Sequence, residues 1–231
     1  MKRLLVSLLV LLVVLVAADR VAVVVAGRVV AGQLQTSGDL SVRPSVSFGG
    51  FPFLTQAVRG RYSSVRVRAS DVTAGGERLS AFDATLDGLR LPLSAALSGD
   101  VSQVPVDAVQ ARVVLSYADL QRRLRDRRLG LASGPSGLLR VTGTVRVLGR
   151  DVSAAALSSV RLSGTSVVVT AQRFEVGSAT ADRVLSAALG KRLDFTVRIG
   201  KLPYGLALSA VQVTPDGLAA TAAGRNRVLT R

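Results

Sequence analysis

The sequence predicts an α+β protein in which a long, strongly curved antiparallel β-sheet wraps around one or two apolar helices. Three observations lead there. Stretches in which Arg, Thr and Ser alternate with Val, Leu and Ala recur along most of the chain, as in sheets that are wet on one face. Few helical stretches are available to cover the apolar faces. The apolar share is 48% but aromatics are only 4%, so Val, Leu and Ala, which suit strands and small-residue helices, supply the bulk. A sheet curved round one or two helices covers its own apolar side with one elongated core.

The chain has 231 residues, enough for one large domain or two small ones. Its net charge is +15, and every basic residue except Lys2, Lys191 and Lys201 is Arg. That charge attracts polyanions, either nucleic acid or an anionic membrane face. Nucleic acid is the weaker option, because the arginines are spread over many strands and neither an RNP-like motif nor zinc-finger spacing occurs. Cys and His are absent. This excludes thiol nucleophiles, disulfides, Ser-His-Asp triads and His-ligated metals. No DxD pair, GxxxxGK[ST] loop or GxGxxG fingerprint is present. The expectation is a protein without cofactor or metal, and not an enzyme. Asp83 and Asp87 form the best carboxylate pair for glycosidase-type chemistry, although isolated Asp residues in turns and strand ends are commoner.

Met1-Lys2-Arg3 precedes an apolar run, Leu4 to Ala18, broken only by Ser7. A basic start and such a run read as an export segment. As a helix the run spans about 22 Å, short of a hydrocarbon core of about 30 Å. Val16-Ala17-Ala18 suits a signal peptidase, yet apolar character resumes after Asp19-Arg20, as an uncleaved anchor continuing into the domain requires. Both outcomes stay open. Lys2 and Arg3 keep the N-terminus inside and place the rest outside the cytoplasmic membrane.

Val21 to Leu34 reads as a helix. Leu40 to Phe48 is a weak strand interrupted by Pro44, hence edge-like. Leu79 to Leu93 is strand material, and Pro92 and Pro105 bracket a small-residue loop. Ser116-Tyr-Ala-Asp119 predicts an N-cap for a basic helix, YADLQRRLRDRRLGL, with Tyr117, Leu120 and Leu124 on one stripe. Ser133 to Gly137 is the best candidate for an internal boundary. Leu139 to Val147, Val160 to Leu162 and Val167 to Val176 read as strands, TADRVLSAALG as a short helix, and DFTVRI as a strand. Thr214-Pro-Asp-Gly217 between apolar runs signals a hairpin.

The richest stretch is Phe48 to Val72. Gly49-Gly50 breaks the backbone, and Pro52 suits a helix's first turn. Phe51, Phe53, Leu54, Ala57 and Val58 then recur at helical spacing until Gly60. From Tyr62 the period becomes two, with Val65, Val67 and Ala69 facing one way and Arg66, Arg68 and Ser70 the other. One reading is an amphipathic corner that closes a core. The other is an apolar entrance rimmed by guanidinium groups. In it Phe51, Phe53, Leu54 and Val58 line or gate an acyl-chain cleft, and Arg59 and Arg61 contact phosphate with forked donors. Leu202 and Tyr204 of the LPYG turn complete that candidate set.

FPFLTQAVRGRYSSVRV, ARVVLSYADLQRRL and LPYGLALSAVQVTPDGL, in this order behind an export segment, resemble the LmeA-like family of actinobacterial cell-envelope phospholipid-binding proteins. The family pattern falls on Phe51, Pro52, Phe53, Leu54, Gly60, Tyr117, Leu120, Pro203, Gly205, Pro215, Asp216 and Gly217, which are mostly structural positions. The resemblance implies a tubular lipid-binding type of fold, affinity for anionic phospholipids such as phosphatidylinositol, and support for mannosylated envelope glycolipid synthesis. The expected organisation is an export signal or anchor over 1–19 and a single lipid-binding domain over 20–231, in the periplasm or cell envelope. Two rival readings remain. One is a scaffold for an envelope glycosyltransferase without a lipid cavity, and the other an enzyme using carboxylates on lipid-linked sugars.

Overall fold

The computed structural model describes residues 2–37, 40–74, 77–92, 94–95, 103–123, 129–147, 150–176, 179–180, 194–198 and 202–230. The expected class is found: mixed α+β with antiparallel sheets, one of them strongly curled. The strands divide between two sheets, and the described chain forms two compact units.

The first unit comprises residues 1–77, 82–111 and 223–231. It opens with α1 (Lys2–Ser37), a single helix in which the export run continues through Asp19-Arg20 into the following segment, one of the two outcomes left open by the sequence. Neither residue breaks a helix, and apolar, helix-compatible residues flank both. Strand β1 (Ser45–Gly49) starts just after Pro44, so the proline precedes the strand, and it lies at a sheet edge as expected. Helix α2 (Phe53–Arg59) follows; Pro52 is its N-cap, in extended conformation, and not its first helical residue. Strands β2 (Arg61–Ala74), β3 (Glu77–Arg90) and β4 (Gln103–Leu115) come next. β1 pairs antiparallel with β2, Val46 opposite Val67 and Phe48 opposite Val65. On β2, Val65 and Ala69 are buried and Val67 half-buried while Arg66, Arg68 and Ser70 are exposed, the alternation that the sequence predicts; Tyr62, before it, is buried too.

In β3 the apolar phase shifts from Phe82-Ala84-Leu86 to Leu89-Leu91. The shift falls at Gly88, whose φ of +64° and close approach to the Asp107 side chain leave no room for a Cβ. The loop expected between Pro92 and Pro105 ends early, because β4 already runs from Gln103 and buries Val104, Val106 and Val109. Pro105 argues against a strand flanked on both sides, and it is tolerated here as the third residue of β4.

The second unit comprises residues 78–81 and 112–222. Its helix α3 (Tyr117–Arg123) begins at the expected cap, where Ser116 Oγ accepts a 3.1 Å hydrogen bond from Asp119 N and donates to Asp119 Oδ2 at 2.6 Å. The rest of the predicted basic helix, with Leu124, lies outside the described residues, as does most of the predicted TADRVLSAALG helix. Strands β5 (Gly130–Ser133), β6 (Leu139–Val147), β7 (Arg150–Ser163), β8 (Ser166–Val176), β9 (Ala179–Thr180) and β10 (Phe195–Arg198) form the second sheet. Its order is β10-β8-β7-β6-β5, with β9 on β8. The stretch Ser133 to Gly137 is a hairpin turn and not a boundary. Ser133 pairs with Leu139, and Gly134 N donates to Leu138 O at 2.8 Å. Gly and Pro punctuate both kinds of connection, and only pairing distinguishes them.

The predicted hairpin joins β11 (Ala207–Thr214) to β12 (Gly217–Thr230), and the first sheet runs β1-β2-β3-β4-β12-β11. The second unit's core holds Leu131, Leu139, Val141, Ala156, Val169 and Phe195, with Tyr117 and Leu120 of α3 packed against it. Tyr117 also donates from its hydroxyl to Thr214 O at 2.5 Å. The β7–β8 register shifts at Leu157/Ser158, and Asp194 Oδ1 accepts from Ala171 N at 2.7 Å beside that irregularity. Ser158 Oγ is fully buried and has no hydrogen-bond partner among the described residues.

Leu139→Ala, at a fully buried position, is expected to lower unfolding free energy by about 3 kcal/mol. Ser158→Ala, which removes an unpaired buried hydroxyl, is expected to leave stability unchanged or raise it by about 1 kcal/mol. Urea unfolding of the two variants checks both.

Candidate functional site

Helix α1 changes character at Asp19. From Leu4 to Ala18 all residues are exposed. Beyond that, residues 19, 22, 23, 26, 27, 30, 31 and 34 are buried or half-buried, the 3–4 spacing of a docked helix face. The first contact is polar. Asp19 is only 2% exposed, and its Oδ1 accepts from Leu54 N at 2.8 Å. Pro52 has no side-chain acceptor to offer the N–H groups at the start of α2, so a carboxylate from α1 substitutes. Arg20 donates to Asp19 Oδ2 at 2.8 Å, and its guanidinium sits 4.9 Å from the Phe51 ring centre. Further along, Gly27 brings α1 against β1, since a Cβ there would lie 2.6 Å from Val46 O.

Where α1 meets the start of β1 an open cleft of about 400 Å³ remains. Val23, Ala31, Pro44 and Val46 give it aliphatic lining, and Arg28 and Arg43 give it charge. Arg43 donates to Arg28 O at 2.8 Å, and its other N–H donors have no partner among the described residues. Sequence reasoning missed this place. The available signal was Arg28, the one charge in the Val- and Ala-rich stretch from Val21 to Leu34.

Helix α2 sorts the aromatic candidates. Phe53 is a core residue, packed with Ala57, Tyr62 and Val65. Its ring lies 5.2 Å from Phe48 and 6.1 Å from Tyr62, centre to centre. Phe51, Leu54 and Val58 are 61%, 40% and 80% exposed. Leu54 and Val58 lie on the flank of α2 away from the buried Phe53 and Ala57, and Phe51 precedes the helix, so these three and Phe53 do not line one cleft. Arg59 and Arg61 are exposed at the C-terminal end of α2. Between them Gly60 holds φ +62°, and its N–H closes the helix on Ala57 O. Leu202 is half-buried and Tyr204 exposed, both in the second unit. Phe51, Leu54, Val58, Arg59 and Arg61 are therefore exposed on and around α2, with Arg20 at Phe51, while Arg28 and Arg43 line the cleft at α1 and β1.

Asp83 is held by Arg68 at 2.8 Å and Arg66 at 3.8 Å on the exposed side of the sheet. Asp87 lies four residues along the same strand, about 13 Å away at strand rise. That exceeds the spacing of either glycosidase geometry, so these two acids do not form the catalytic pair that the sequence allowed. Among the described residues no group of three acidic side chains is placed to hold a metal ion. Burial pushes the Tyr62 phenol above its ordinary value of 10.0.

A sequence model of the LmeA-like phospholipid-binding family matches residues 17–223. No characterised protein and no solved structure matches the chain significantly.

Asp19→Ala should weaken the start of α2 by about 1–2 kcal/mol. Amide hydrogen exchange at Leu54 should then quicken about tenfold or more, with the amides of β6 to β8 unaffected. Asp19→Asn, which keeps an acceptor, should fall between. Because the folded state favours the neutral Tyr62 phenol, the unfolded chain ionises first; stability holds below about pH 10 and falls as pH rises through the folded value. Tyr62→Phe should make that alkaline fall shallower in denaturant titrations at pH 8 and pH 11.

Proposed function

The chain belongs to the LmeA-like phospholipid-binding family, and from that premise we propose that it is an exported phospholipid-binding protein of the cell envelope. In this reading it is held at the outer face of the cytoplasmic membrane by α1 and works without catalysis. The observation that carries the reading is the cleft at α1 and β1, with its aliphatic lining and the Arg28 and Arg43 guanidinium groups. Its volume lies in the range of small-molecule sites, and it is built on the same helix whose first half is apolar and exposed on all sides.

Each methylene withdrawn from water contributes roughly 0.8 kcal/mol, so a partly inserted acyl chain binds usefully. Arginine complements a phosphodiester head group through paired N–H donors. Arg59 and Arg61, exposed beside the Phe51–Leu54–Val58 face, supply the longer-range attraction to an anionic lipid such as phosphatidylinositol. In the envelope, such binding supports synthesis of mannosylated glycolipids by presenting or sensing lipid, and an envelope glycosyltransferase is the corresponding partner. The apolar helix is compatible with a signal peptide or an anchor. The docking of its second half through Asp19 favours the anchor.

Native mass spectrometry of protein purified without detergent should find phospholipid bound, and an empty protein would refute the reading. Arg59→Ser with Arg61→Ser should reduce affinity for anionic liposomes about tenfold or more, at about 1 kcal/mol per arginine. Arg28→Ser with Arg43→Ser should instead reduce the amount of lipid carried.

A further inference from the structure

We propose that the exposed apolar side chains at α2, Phe51 just before the helix and Leu54 and Val58 on it, are a wedge that inserts into the anionic bilayer entered by α1. The proposal rests on the reading of α1 as a retained anchor. The seven-residue α2 buries Phe53 and Ala57 and leaves Leu54 and Val58 exposed on its flank, and Phe51, just before its Pro52 cap, is exposed as well. Three exposed large apolar side chains within eight residues are an interaction surface more than scattered exposure.

What covers the face is indicated by its neighbours. Leu54 N is bonded to Asp19, and Phe51 lies under the Arg20 guanidinium. The face therefore begins at the level of α1 where the all-round exposed apolar run ends. That run, Leu4 to Ala18, requires hydrocarbon around it, and Val21, Val24, Val25 and Val29 extend exposed apolar surface along α1 past the same level. A hydrocarbon core of about 30 Å entered at Leu4 extends past the roughly 22 Å run, which carries it to the level of Phe51 and Leu54. The charges suit anionic head groups: Arg20, Arg59 and Arg61 are exposed, whereas Asp19 is buried and already paired with Arg20. An apolar face flanked by arginines is the composition of elements that lie in the interface of anionic membranes.

The absence of native cysteine makes single-site labelling direct. Full-length Leu54→Cys, Val58→Cys and, as a control on the exposed side of β2, Ser70→Cys are labelled with an environment-sensitive fluorophore. Each is placed in nanodiscs of neutral or partly anionic phospholipid. Emission from positions 54 and 58 should shift to the blue and be quenched by spin-labelled lipid, more in anionic discs, while position 70 stays water-exposed. Labels at 54 and 58 as wet as that at 70 would overturn the wedge. So would a blue shift that appears in detergent and grows with protein concentration, which marks a second copy on the face. Bound phospholipid measured on the same preparations separates the two readings. Wet labels with lipid bound remove the wedge alone, and quenched labels with no lipid bound uphold the wedge while removing the lipid-binding function.

Discussion

The bond between Asp19 and the backbone of Leu54 is the contact on which the first unit's arrangement depends. Before residue 19, α1 has no preferred side; from residue 19 it has one, and every later contact follows that azimuth. α2 in turn lacks a cap of its own because Pro52 precedes it, so its start relies on a carboxylate from another element. One side chain thus satisfies two needs. With α2 held, Phe53 enters the space beside Phe48 and Tyr62, and Gly27 lets β1 approach closely enough for its edge to be covered.

Much of this was legible in the sequence. The alternation from Tyr62 to Ser70, the stop at Gly60, the Ser116–Asp119 cap and the Thr214–Gly217 hairpin are local signals with local causes. What stayed hidden has non-local causes. The division into two sheets depends on β4 lying beside β12, more than a hundred residues away in sequence, which no periodicity records. The Pro105 segment looked like a loop because the partner that secures it is remote. In and just before α2, positions 51, 53, 54, 57 and 58 are all apolar, so composition could not tell that 53 and 57 face the core while the others are exposed. The same holds for α1, where Val and Ala on the docked and free sides are alike.

The arrangement of charge clarifies what the net +15 does. Several strand arginines meet acids on neighbouring strands: Arg66 and Arg68 at Asp83, and Arg90 at Asp107. Exposed pairs of this kind add little stability, but they cancel field locally. Arg59 and Arg61 have no ion pair among the described residues. The excess positive field is therefore expressed at the α2 corner more than along the β2–β4 strands.

The unbroken backbone of α1 has a mechanical consequence. A helix turns through about 100° per residue, so adding or removing one residue between Ala18 and Ala22 would leave the apolar run in place and swing everything docked after it by more than a quarter circle. A flexible tether would absorb such an edit unnoticed. A continuous rod instead sets the heading of the first unit, and with it which surface is carried toward or away from the lipid.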